Sequence, residues 1–118
     1  MILVDTSVWV NHLRRGNARL AGMLEDGIVV SHPFVIGELA CGTLRLRAAL
    51  LSLLAELPVA TIATHAEAMA FIEFRRLMGR GLGSVDVHLL AAALMDRLPL
   101  WTLDKRLDVA AKALGVAP

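Results

Sequence analysis

Short apolar runs alternate along the chain with longer stretches in which apolar residues recur every three or four positions. The opening ILVD (2–5) is an apolar run closed by an acid, the pattern of a buried strand with Asp5 at its carboxyl end. Thr6 and Ser7 offer caps for a helix over SVWVNHLRR (7–15), which Gly16 ends. NARLAGMLEDG (17–27) predicts a second helix closed by Gly27, and IVVS (28–31) a second strand. Pro33 suits the first turn of a helix over PFVIGELACG (33–42), because its missing amide proton is no loss there. RLRAALLSLLAEL (45–57) predicts a strongly apolar helix, and PVATIA (58–63) a third strand.

A long helix is predicted over HAEAMAFIEFRRLMGRG (65–81), with Ala68, Phe71, Ile72 and Arg75 on neighbouring turns and a glycine-rich exit. Ser84 starts another helix, which carries Asp86 in its first turn. After Pro99, LWTL (100–103) is a fourth strand ending beside Asp104, and KRLDVAAKALG (105–115) a closing helix. Strands alternating with helices predict an α/β fold, a three-layer α/β/α arrangement around a mainly parallel sheet of four or five strands. No repeat, low-complexity stretch or long linker divides it, so residues 1–118 read as one domain.

Composition sharpens this picture. Apolar residues make up 57% and charged residues 19%, which excludes a disordered or charge-rich linker as the main body. So much apolar surface in a small domain points to a homodimer interface or a docked partner peptide. The net charge of +1 gives no global argument for nucleic acid, which leaves that case to the local placement of basic residues. The single cysteine, Cys41, cannot form an internal disulfide and reads as a buried, inert thiol in a reducing cytosol. MILVDTSVWV lacks the features of a secretory signal, and the weakly charged run at residues 27–44 contains His32, Pro33 and Glu38. A cytoplasmic location and no membrane span are therefore expected.

The acidic residues carry the chemistry. In open α/β sheets, sites form beyond the carboxyl ends of the strands, where Asp5 and Asp104 stand. Asp5, Asp86 and Asp104 all read equally well as helix caps and nothing more. Glu38 differs, being the only charged residue between Asp26 and Arg45, with Val35, Ile36, Leu39 and Ala40 around it. Mid-helix it has no capping role, and in apolar surroundings it carries a desolvation penalty unless paired, protonated or bound to a cation. Carboxylates gathered in one pocket repel one another until a cation neutralises them. With oxygen donors only, and no Cys or His pair at ligand spacing, that cation is Mg²⁺ or Mn²⁺ with retained waters in preference to zinc. Such an ion suits phosphoester chemistry. His12, His32, His65 and His88 share no spacing and are assigned surface or hydrogen-bonded core roles, while Trp9 and Trp101 are assigned to packing.

The four pieces LVDTSVWV, PFVIGELACG, GSVDVHLLAAAL and LWTLDKRL, in this order, resemble the PIN-domain ribonucleases, particularly the VapC toxins of type II toxin-antitoxin pairs. The likeness spans almost the whole chain. It implies a PIN-like fold and a catalytic, metal-holding set of Asp5, Glu38, Asp86 and Asp104, with Thr6, Ser7 and Thr102 as supporting hydroxyls. It also implies Mg²⁺- or Mn²⁺-dependent endonucleolytic hydrolysis of RNA by an activated water, leaving 5′-phosphate and 3′-hydroxyl ends. The implied partners are a second copy of the chain and a VapB-like antitoxin that blocks the acidic cleft. RNA would approach past a basic rim, for which Arg14, Arg15, Arg75, Arg76, Arg80, Lys105 and Arg106 are candidates. Two other classes compete. A receiver-type phosphotransfer domain needs an acid at the end of its third strand, which PVATIATHA lacks. A non-catalytic PIN-like module that binds RNA or protein would tolerate Asp5→Asn and Glu38→Gln, whereas a nuclease would not.

Overall fold

A computed structural model describes all 118 residues. Its centre is β1 (Ile2–Val4), parallel to β2 (Val29–Val30) on one side and to β3 (Leu100–Trp101) on the other, giving the sheet order β2-β1-β3. Leu3 stands opposite both Val30 and Leu100, so the middle strand is covered on both edges and both faces. That is why the sequence there is continuously apolar instead of alternating. Helices α1 (Thr6–Arg15), α2 (Ala18–Glu25), α3 (Pro33–Cys41), α4 (Arg47–Glu56), α5 (His65–Arg75), α6 (Ser84–Asp96) and α7 (Lys105–Ala113) flank the sheet, as the α/β reading requires. The core is one contiguous cluster in which Trp9 of α1, Leu89 and Leu90 of α6, and Leu107 of α7 close over the strands. α6 is buried over most of its circumference, and Ala91, Ala92 and Ala93 let it lie close to its neighbours. No helix is long and apolar enough to cross a membrane.

Four local expectations change. The strand predicted at 58–63 reduces to one isolated parallel bridge, Ser31 to Val59, so three strands and a bridge stand where four or five strands are predicted. The ladder stops because the next residue after Ser31 to face this edge is Pro33, which has no amide to donate and begins α3. The Thr61 amide and hydroxyl, on the opposite edge of the segment, both donate to the Asp96 carboxylate, at 2.7 and 2.6 Å. α5 ends at Arg75, six residues early, with Arg76 left-handed (φ 52°) and Gly79 and Gly81 also at positive φ. Cys41 is exposed, not buried. Val35 and Leu39 take the inward face of α3, and Cys41 falls on the outward face with Phe34 and Glu38, at the i, i+4, i+7 spacing of one helical side. Glu38 is exposed for the same reason, so the desolvation penalty read from its apolar neighbours does not apply. Trp9 and Trp101 are buried as assigned, the second beneath the Arg19 guanidinium, 4.4 Å from the ring centroid.

Candidate active site

Every acidic side chain of the predicted set sits at a helix start or on an outward helical face, and each has one oxygen fixed by the protein. Asp5 follows β1 and caps α1. Its Oδ2 accepts from the Ser7 hydroxyl at 2.7 Å, the Thr102 hydroxyl at 2.7 Å and, more weakly, the Ser7 amide at 3.4 Å. Both hydroxyl protons are thereby committed. The 3.2 Å approach of Ser7 Oγ to Thr102 Oγ1 is consequently a contact, not a further bond. In return Ser7 Oγ accepts from the Leu103 amide at 2.9 Å and Thr102 Oγ1 from the Asp104 amide at 3.0 Å. This network ties the end of β3 to the start of α1.

Asp104 caps α7, its Oδ1 accepting from the amides of Arg106 and Leu107 at 2.9 and 3.1 Å. Asp86 sits in the first turn of α6 and reaches back to the Gly83 amide with Oδ2 at 2.9 Å. Glu38, on α3, is held by the Thr6 hydroxyl, which donates to Oε1 at 2.7 Å. Capping and site membership are thus not alternatives. The cap uses one carboxylate oxygen of each Asp, and the second oxygens, Asp5 Oδ1, Glu38 Oε2, Asp86 Oδ1 and Asp104 Oδ2, accept no hydrogen bond from the protein. Nor does any Lys, Arg or His stand within ion-pair distance of the four, the sole ion pair of the chain being Lys112 with Asp108.

Asp86 feels the charge of the other three. Asp86 has its pKa raised above the usual carboxylate range, first by partial burial and then by the charges of Asp5, Asp104 and Glu38, with the Gly83 amide opposing. No three acidic, His or Cys side chains close on one point at metal-binding distance. An all-oxygen set, with its members this far apart, suits a hard divalent cation that keeps part of its water shell, and does not suit zinc.

α3 is aimed by a residue that sequence reasoning left in a generic core role. His32, fully buried, caps α3 by accepting the Phe34 amide on Nδ1 at 3.0 Å, which leaves the ring proton on Nε2. Burial, reinforced by His88 and opposed by Asp96, lowers its pKa to about 4, so the ring is neutral at ordinary pH. Phe34 stands edge-on to both His32 and His88, with centroids 5.1 and 4.7 Å away. The signal was His at the position before a helix-starting Pro. The rim candidates separate into groups. Arg80, Lys105 and Arg106 share one depression, and Arg14 and Arg15 share another with Ser7 and Leu103. Arg75 lies over the Phe74 ring and lines a separate apolar groove between α5 and α6, and Arg76 ends α5.

Comparison with known proteins bears on the family and the fold. The PIN domain family model matches residues 2–113. Ribonuclease VapC32 of Mycobacterium tuberculosis, from strains CDC 1551 and H37Rv alike, is 50% identical over 118 residues, covering 99% of this chain and 95% of the relative. The crystal structure of PAE2754 from Pyrobaculum aerophilum superposes with a TM-score of 0.64 at 21% identity, covering 99% of this chain and 87% of that one, a likeness of fold. With the family model matched across nearly all its length and a close relative so named, the chain belongs to the PIN-domain family, among the VapC ribonucleases.

Proposed function

We propose that residues 1–118 act as a single metal-dependent endoribonuclease domain, the toxin of a toxin-antitoxin pair, hydrolysing RNA to 5′-phosphate and 3′-hydroxyl ends. One observation carries the reading: four carboxylates from four separate parts of the chain each keep one oxygen free of protein partners, with no protein cation to neutralise them. The VapC32 name adds RNA as the substrate class. Asp5, Glu38, Asp86 and Asp104 would hold Mg²⁺ or Mn²⁺, which supplies a water of lowered pKa and stabilises charge on the phosphate.

The chain's own residues do the positioning. Ser7 and Thr102 fix Asp5 from two sides, so its free Oδ1 has a defined direction. Thr6 holds Glu38 across 32 positions of sequence, joining α1 to α3 at the cleft. The Gly83 amide orients Asp86, and the first amides of α7 orient Asp104. The partners on this reading are RNA, a VapB-like antitoxin and a second copy of the chain, in the cytoplasm. New RNA 5′-ends mapped in cells after induction without antitoxin test it. Discrete 5′-phosphate ends should appear with the wild type and vanish with Glu38→Gln. Identical ends and identical growth for the two would favour a module that binds without cutting.

A further inference from the structure

Two basic depressions adjoin Asp104. One, of about 400 Å³, is lined by Arg80, Lys105 and Arg106 over Val109 and Ala110. The other, of about 290 Å³, is lined by Arg14, Arg15, Asn11, Ser7 and Leu103, together with Val10. Leu103, Asp104 and Lys105 are consecutive, so roughly 7 Å of chain leads from one depression past a cleft acid to the other. None of these five cations is ion-paired, in a chain whose charges almost balance.

Arg106 is also seated. A Cβ on Gly81 would lie 2.6 Å from Arg106 Cδ and 2.7 Å from a guanidinium nitrogen, so the arginine rests against bare glycine backbone. Gly81 has φ +73°, a conformation glycine adopts without strain. The same short loop continues to Gly83, whose amide holds Asp86. A guanidinium docked on backbone and left without a carboxylate is set for a bidentate phosphate contact.

We propose that the two depressions are phosphate subsites for one RNA strand lying across Asp104, and that Arg106, seated on Gly81, is the positioning residue of the larger. This rests on the nuclease reading above and adds where the strand lies. Phosphate contacts carry no sequence information, so an RNA of mixed sequence serves as the probe.

The experiment measures anisotropy of a labelled single-stranded RNA bound to the Glu38→Gln protein in Mg²⁺, over a series of salt concentrations. Each lost phosphate contact should lower the magnitude of the log–log salt slope by about 0.7. Arg106→Ala should weaken binding about tenfold and lower the slope by that amount, and Arg106→Lys should restore the slope with only part of the affinity. Arg14→Ala with Arg15→Ala should lower the slope by about twice as much. Gly81→Ala should weaken binding when Arg106 is present and add nothing to Arg106→Ala. Arg97→Ala, at the other end of α6, should change neither quantity. An unchanged slope for both Arg106→Ala and Arg106→Glu overturns the proposal, as does a Gly81→Ala loss of equal size with and without Arg106. If the Glu38→Gln protein is folded by circular dichroism yet binds no RNA, the nuclease reading falls as well.

Discussion

Replacing Thr102 by Val keeps the shape of the side chain and removes only a hydroxyl. Thr102 is 7% exposed, and its hydroxyl donates to Asp5 Oδ2 at 2.7 Å and accepts the Asp104 amide at 3.0 Å. A hydrogen bond to a buried carboxylate contributes about 1.5–3 kcal/mol, and the stranded Asp104 amide adds about 1 kcal/mol. We therefore expect Thr102→Val to cost about 2.5–4 kcal/mol and to lower Tm by roughly 10 °C. Ser7→Ala removes an equivalent pair of bonds, to Asp5 and from the Leu103 amide, but in a half-buried position that water can enter. It should cost only about 1 kcal/mol. Because both hydroxyls bond the same oxygen, the double variant leaves Asp5 Oδ2 with the Ser7 amide at 3.4 Å alone, and its cost should exceed the sum of the two by about 1 kcal/mol. Urea unfolding decides the matter if the midpoint moves at constant m. Thr102→Ser should retain most of the stability. A Thr102→Val cost smaller than that of Ser7→Ala, or strict additivity in the double variant, would refute the reasoning.

The remaining expectations concern pH, metal and the cleft tether. His32 has a folded pKa below its ordinary value, so the unfolded chain binds the proton first, and stability should fall as pH drops from about 6.5 to about 4. The loss is about 3 kcal/mol at most, and His32→Asn, which can still accept the Phe34 amide, should flatten that part of a pH–stability curve. Mg²⁺ at ten times its Kd should stabilise the wild type by about 1.4 kcal/mol in a thermal melt, while Asp86→Asn should lose this increment yet melt no lower than wild type without metal, its carboxylate being held charged in the folded form against burial first and repulsion second. Thr6→Val should lower kcat by about tenfold or more with KM nearly unchanged and unfold at the same urea concentration, because the Thr6–Glu38 bond is exposed and orients without stabilising. A matching rise in KM would mean that Glu38 serves substrate binding instead.

The local placement of the candidate acids was legible because helix starts and strand ends announce themselves. Asp5, Asp86 and Asp104 each stand where a cap is needed, and the same local rules that place the cap place the free oxygen. What local pattern could not supply was which side of a helix faces outward. Glu38 and Cys41 share a nearly uncharged segment, and only the burial of Val35 and Leu39 decides that both look out. The segment at 58–63 has the composition of a strand, but the edge it would pair with ends at Pro33, where α3 begins, which no window of its own neighbours contains. The early end of α5 has a plainer cause. The left-handed turn at Arg76 and the glycines at 79 and 81 outweigh the apolar periodicity that continues past it.

The ties between Asp5 and Thr102, and between Ser7 and Leu103, span 97 and 96 positions, nearly the whole length of the chain. β1 precedes the other elements in sequence and is the centre of the sheet, yet β3, which bonds the Asp5 amide through the Trp101 carbonyl, is the last of the three strands. A growing chain that has not reached Thr102 holds Asp5, Glu38 and Asp86 without the strand that orients the first of them. The fixing of Asp5 therefore waits on the β1–β3 pairing, a contact of high sequence separation. On the nuclease reading proposed above, a chain that stops short of β3 lacks the contacts that orient its first carboxylate.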